Sequence, residues 1–261
     1  MFKPVSERIK QLAEKYPEKI QELERVFDKK TNVYIDYANV RGWSQRLGWR
    51  VDIKRLKQFF NSFDNINQIK FYYGTIKGKP ESEMTISNAQ KLGYIVKTKP
   101  VKIMKLSIDI SSIASDSIDI LKNFIRPTLL SKLNIEIVKS LNNELRTLNQ
   151  QGILYLEDSK ANFDVEIGRD MFNDYDVECP DNFMLWSGDS DFEDPIRQLL
   201  KDKIKVILCA TSKRIATELN MLRSEGLIIL DVQKIKEFIC YKKDITQSKG
   251  DPLRGPQALD N

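Results

Sequence analysis

Residues Phe183-Met184-Leu185-Trp186-Ser187-Gly188-Asp189-Ser190-Asp191-Phe192 decide the fold. Four apolar residues, enough for a buried strand, run straight into two carboxylates one residue apart, and a helix-prone segment follows at once. Near the start of the chain, Val33-Tyr34-Ile35 ends the same way in Asp36-Tyr37-Ala38-Asn39. The carboxyl ends of parallel strands form the rim where open α/β sheets place their ligand crevices. Like charges gathered there need a cation, and carboxylate oxygens select a hard one, Mg²⁺ or Mn²⁺.

Working outward, strand patterns fall at 32–36, 68–73, 94–97, 183–187, 205–209 and 227–230. Helical patterns fall at 52–63, 82–92, 161–172, 192–201, 212–223 and 232–241. This alternation predicts an α/β fold, a doubly wound and mainly parallel sheet with right-handed crossovers. If its strand order is 3-2-1-4-5, the order reverses between strands one and four and puts Asp36 beside Asp189 and Asp191. Residues 1–30 read as a charged helical leader interrupted at Pro17, and 31–241 as the main domain. The tail, 242–261, is polar, contains Gly250, Pro252, Gly255 and Pro256, and is expected to be disordered.

Residues 100–150 break the rhythm. Met104, Leu106, Ile108 and Ile110 alternate as in a half-buried strand, and Ser117 to Phe124 looks helical. Leu130, Leu133, Ile137, Leu141, Leu145 and Leu148 make an apolar stripe at spacings of three and four. The expectation is a largely helical insertion, either a lid or partner-docking subdomain, or an αα appendage or dimer arm.

The chain of 261 residues contains no histidine. Imidazole acid–base catalysis, His-activated nucleophiles and nearly every zinc catalytic site are thereby excluded. Three widely spaced cysteines form no Cys-x-x-Cys pair and make no zinc ribbon. No apolar run reaches the length of a membrane span, and Met1-Phe2-Lys3-Pro4-Val5 has no signal-peptide character, so a cytoplasmic address is expected. The net charge of +5 gives weak support for a polyanionic partner.

Lys160-Ala161-Asn162-Phe163-Asp164 to Asp170 offers a third acidic group. Asp164 and Asp170 differ by about 240° around a helix, so Asp164 is taken as the site residue and Asp170 as its background. Lys160 shares a face with Asp164 if the helix already includes it. Each aspartate could instead cap a following helix, and Lys160 could be an ordinary solvated lysine. Tyr37, Trp43 and Trp49, interleaved with Arg41, Arg46 and Arg50, either stack and clamp single-stranded bases or plug the sheet edge as core aromatics.

Tyr34-Ile35-Asp36-Tyr37-Ala38-Asn39, the Lys160-to-Asp170 segment and Ser187 to Phe192, in that order, resemble the NYN/LabA-like branch of the PIN-domain ribonucleases. The resemblance covers roughly 32–99 and 160–240, with 100–150 outside it. It implies a PIN-like sheet and a Mg²⁺- or Mn²⁺-dependent ribonuclease acting on single-stranded RNA. By position it implies an acidic site of Asp36, Asn39, Asp164, Asp189 and Asp191, with the four aspartates as metal ligands. Lys160, Arg41 and Trp43 are the candidates for gripping substrate. The rival expectations are a non-catalytic RNA- or protein-binding module, with a homodimer or protein partner engaged through 100–150, and a haloacid-dehalogenase-type phosphatase. The latter needs a second Asp two residues after the first, where Asp36 is followed by Ala38.

Overall fold

The computed structural model describes residues 1–75, 80–160, 162–211 and 215–241. The expected tail lies outside them. The chain divides into two compact units, Met1–Pro100 with Ala161–Asn261, and Val101–Lys160. Its strands are β1 (Thr31–Asp36), β2 (Ile66–Tyr72), β3 (Ile95–Lys97), β4 (Lys102–Ser107), β5 (Tyr155–Lys160), β6 (Asn182–Trp186), β7 (Lys205–Ala210) and β8 (Ile228–Asp231).

In the first unit six strands form one parallel sheet in the order β3-β2-β1-β6-β7-β8. This is the expected doubly wound α/β sheet, and its order reverses between β1 and β6. The central strands are buried on both faces, as parallel strands covered by helices must be. Side chains alternate between faces, so Val33, Ile35 and Trp186 turn one way. There Trp186 stacks on Trp43 at 6.1 Å between ring centroids and meets Phe60 edge-on at 5.7 Å. The leader splits at Pro17 into helices Glu7–Lys15 and Pro17–Val26. Ile20, Leu23 and Phe27 enter the same core. Gly93, at φ +80°, lets the helix Pro80–Lys91 end in the left-handed turn that leads into β3.

The opposite face carries Asn32, Tyr34, Gln68, Lys70 and Tyr72, and the helix Asp164–Val177 lies on it through an acidic stripe. Glu166 pairs with Lys99 at 2.5 Å, and Asp170 accepts from the Tyr72 hydroxyl at 2.9 Å. Asp174 accepts from Lys70 at 2.6 and 2.7 Å, from Asn32 at 3.1 Å and from the Tyr34 hydroxyl. Glu178, just past the helix, accepts from Gln68 at 2.6 and 2.8 Å. The spacing of four residues puts all of these acids on one side of the helix.

In the second unit β4 and β5 pair antiparallel from Lys102↔Lys160 to Ser107↔Tyr155. The helix Ile135–Gln150 is capped by Asn134, whose Oδ1 accepts from Ile137 N at 2.9 Å. Leu121, Leu130 and Val138 form its small core, with Leu133, Leu141 and Leu145 packed around them. Two expectations are corrected here. Ile137 is exposed and Val138 is buried, because 137 and 138 both lie within a turn of Leu141 and either completes the stripe. The helix expected up to Phe124 is only a single turn, Leu121–Asn123.

Candidate metal centre

Asp36 ends β1 on the same face as Asn32 and Tyr34, and the parallel register places Ile35 opposite Trp186. Ser187, one residue beyond Trp186, therefore shares a face with Asp36. Its hydroxyl donates to Asp36 Oδ2 at 3.4 Å and accepts from Asp189 N at 3.3 Å, tying the ends of β1 and β6 together. Ser187 stood inside the quoted motif without a role. Its position one residue past a strand end, ahead of two acids, was the signal for it.

Capping and clustering turn out to be compatible. Asp36 caps the helix Tyr37–Gly42, accepting from Asn39 N at 3.2 Å, and Asp189 caps the turn Ser190–Phe192, accepting from Asp191 N at 3.3 Å. Asp36 caps with Oδ1 and takes the longer Ser187 contact on Oδ2, and each carboxylate oxygen has a second lone pair left for a further partner. Asp36 is buried, Asp164 and Asp189 are half-buried, and Asp191 is exposed.

Burial pushes the Asp36 carboxyl up to about 6, against hydrogen bonds from Asn39 and Ser187 that pull it down, with the Asp189 charge pushing the same way as burial. Burial also pushes Asp164 up to about 6, opposed by the Asn162 side chain and reinforced by the charges of Asp189, Asp36 and Asp191. Each aspartate thus lies within electrostatic reach of others. Asp164 Oδ2 is buried and has no hydrogen-bond partner among the described residues.

The other site candidates divide. Asn39 is held as a structural link, its Oδ1 accepting from Trp43 Nε1 at 2.8 Å. Trp43 is fully buried in the core, which corrects its assignment as a base-stacking side chain. A residue wedged between Asn39 and Trp186 has no face left for a nucleotide. Arg41 is exposed, yet its guanidinium bonds Tyr73 at 2.5 Å and Glu81 at 2.6 Å. The helix begins at Asp164, and Lys160 ends β5, so the shared helical face does not exist. The side chain of Lys160 lies outside the described residues. Asp170 turns away from the rim to Tyr72, as its angular offset required.

Among the described residues no three acidic or cysteine side chains converge tightly enough to hold an ion unaided. The donors still fit a hard divalent ion. All are oxygens, one buried oxygen lacks a partner, and Mg²⁺ binds through one or two carboxylates while retaining several waters.

The described chain is therefore an α/β protein whose parallel sheet reverses its order between β1 and β6, with Asp36 at the end of β1 and Asp189 just past the end of β6. Residues 121–228 match the NYN domain family. Over 208 residues, 79% of this chain and 86% of the relative, the chain is 26% identical to the low amplitude and bright protein LabA of Synechococcus elongatus. The similarity to the NYN family thus covers the stretch from within the insertion through β7 to the start of β8. A protein of unknown function, VPA0982 from Vibrio parahaemolyticus, has a solved structure that is similar at a TM-score of 0.49 and 14% identity, over 81% of this chain and 96% of that one. The matched family residues begin inside the insertion, which corrects the expectation that all of 100–150 lies outside the resemblance. They include Asp164, Asp189 and Asp191 and leave out Asp36 and Asn39.

Proposed function

We infer that the protein is a metal-dependent ribonuclease that hydrolyses phosphodiester bonds of single-stranded RNA in the cytoplasm. The observation that carries this reading is the aspartate rim. Asp164 feels the charges of Asp36, Asp189 and Asp191, Asp36 feels that of Asp189, and burial raises both Asp36 and Asp164, which supports the reading. Carboxylates forced together without compensation cost free energy, and binding sites repay that cost when a cation arrives.

Asp36, Asp164 and Asp189 would hold a Mg²⁺ or Mn²⁺, directly or through water, with Asp191 on the solvent side. Such an ion supplies Lewis acidity and neutralises the charge that develops on a phosphoryl group under attack. Ser187 fixes the Asp36 carboxylate and the Asp189 backbone at once, so the two strand ends keep their separation. The acidic stripe of the helix Asp164–Val177 anchors Asp164 from below. With no histidine in the chain, protons leave through carboxylates and water.

The test uses end-labelled single-stranded RNA and DNA with Mn²⁺, Mg²⁺ or EDTA, beside an Asp189→Asn/Asp191→Asn variant. Metal-dependent cleavage that the variant lacks supports the reading, and the RNA-to-DNA ratio assigns the substrate. A folded, Mn²⁺-binding protein that cleaves no faster than the variant would sink it.

A further inference from the structure

A cavity of about 380 Å³ opens beside the helix Tyr37–Gly42, on a part of the first unit that the aspartate rim does not use. That is within the size range of small-ligand sites. Its lining has two characters. Val40, Val51, Ile53 and Leu92 give it apolar walls, and Tyr37, half-buried and packed on Phe71 at 4.6 Å and Tyr73 at 5.1 Å between ring centroids, borders it with the part of its ring they leave open. Four cationic side chains, Arg41, Arg50, Lys54 and Lys91, stand against two acids, Asp52 and Glu81.

Both acids are already committed. Asp52 caps the helix Ile53–Phe60 through Lys54 N at 2.9 Å and Arg55 N at 3.0 Å. Glu81 holds Arg41 at 2.6 Å. The Lys54 and Lys91 ammonium groups have no ion pair among the described residues. The guanidinium of Arg50 lies 5.1 Å from the centre of the Tyr241 ring, a cation laid against an aromatic plane. The ammonium groups of Lys54 and Lys91 beside an apolar and aromatic wall match a ligand with a planar, weakly polar body and an anionic end.

Location narrows the class. Tyr37 directly follows Asp36 and opens the helix that Asp36 caps, so one helical turn contributes to both the rim and the cavity. We propose that this cavity is a nucleotide-binding subsite: the base lies on Tyr37 and the apolar wall, and the phosphate is held by Lys54 and Lys91. The nucleotide is either part of the RNA strand or a free mononucleotide, and the phosphate-plus-base chemistry is the same in both. The RNA-borne form rests on the nuclease reading, since it seats a nucleotide that flanks the scissile bond.

The test is calorimetric titration of the full chain in EDTA, which keeps binding separate from cleavage. The ligands are adenosine and uridine 5′-monophosphates, uridine, inorganic phosphate and a 5′-phosphorylated trinucleotide. Two variants act independently. Lys54→Glu/Lys91→Glu reverses the positive wall, and Asn88→Trp, at an exposed helical position on the lining, fills the space without changing charge.

The expected result is saturable binding of the monophosphates, at least tenfold tighter than uridine or phosphate alone. Both variants should weaken it at least tenfold while their melting temperatures stay within a few degrees of the wild type. A trinucleotide that binds more than tenfold tighter than a mononucleotide, and loses that margin in both variants, identifies the RNA-borne form. Equal affinities identify the free one. Absence of saturable binding, phosphate binding as well as a nucleotide, or a folded variant that binds like the wild type overturns the proposal. Metal-dependent cleavage without nucleotide binding would remove the subsite alone, and binding without cleavage would remove the nuclease reading alone.

Discussion

Lys70→Met should be among the most damaging single substitutions on the sheet face beneath the helix Asp164–Val177. Lys70 and Asp174 are both nearly inaccessible, with side chains 10% and 8% exposed, and their charged groups meet at 2.6 Å. Removing the lysine leaves a carboxylate in a low-dielectric layer. Breaking a buried pair from one side costs about 3–5 kcal/mol. Asp174 keeps donors from the Tyr34 hydroxyl and Asn32, which moves the expectation to the lower end, about 3 kcal/mol. For a unit of this size that corresponds to a fall of about 6–12 °C in Tm. Trp43, Trp49 and Trp186 all lie in the first unit, so fluorescence excited at the tryptophan edge follows its unfolding. Pairing the substitution with Asp174→Leu should recover part of the loss, because two apolar groups bury at less cost than one orphaned charge. A Lys70→Met loss below about 1 kcal/mol, or a double variant less stable than either single one, would refute the description of this layer as a charge-paired interface.

Three further outcomes are expected. Asp36 titrates near pH 6 when folded, above its ordinary value of 3.8. Its folded form therefore holds a proton that the unfolded chain releases, and metal-free stability should fall by about 3 kcal/mol as pH rises from about 4 to above 6. A Mn²⁺-induced rise in Tm should then be larger at pH 7.5 than at pH 5, since the ion competes with that proton; an equal or reversed rise would contradict it. Trp43→Ala should cost about 3–5 kcal/mol as a core cavity, whereas folded Trp43→Phe should bind single-stranded RNA within twofold of wild type in a filter assay. A tenfold loss there would reinstate base stacking. Asn134→Ala removes the cap of the helix Ile135–Gln150 and should cost about 1 kcal/mol, seen as faster hydrogen exchange confined to that unit; unchanged exchange would count against the cap.

The sheet was legible because its rules are local and its signals repeat. Buried strands, Asp52 as a cap and Pro17 as a break each read from a few neighbouring residues. Alternation and right-handed crossovers gave the doubly wound class, whereas the strand order that brings Asp36 to Asp189 was an assumption that the pairing of β1 with β6 bears out. The insertion was less legible, since 137 and 138 satisfy the same helical period and only packing against Leu121 and Leu130 chooses between them.

Sequence by itself determined the α/β architecture, the exclusion of imidazole chemistry and the acidic rim, because strand-end carboxylates and absent residue types need no tertiary context. Tertiary structure decided which polar groups are spent and which remain. It buried Trp43 against Trp186, gave Asp170, Asp174 and Glu178 to the sheet and Glu166 to Lys99, and left Asp164 Oδ2 without a partner among the described residues. Those assignments depend on partners 67 to 143 residues apart, from Lys99 and Glu166 to Trp43 and Trp186. Burial and pairing are properties of the packed chain, and no short window of sequence contains them.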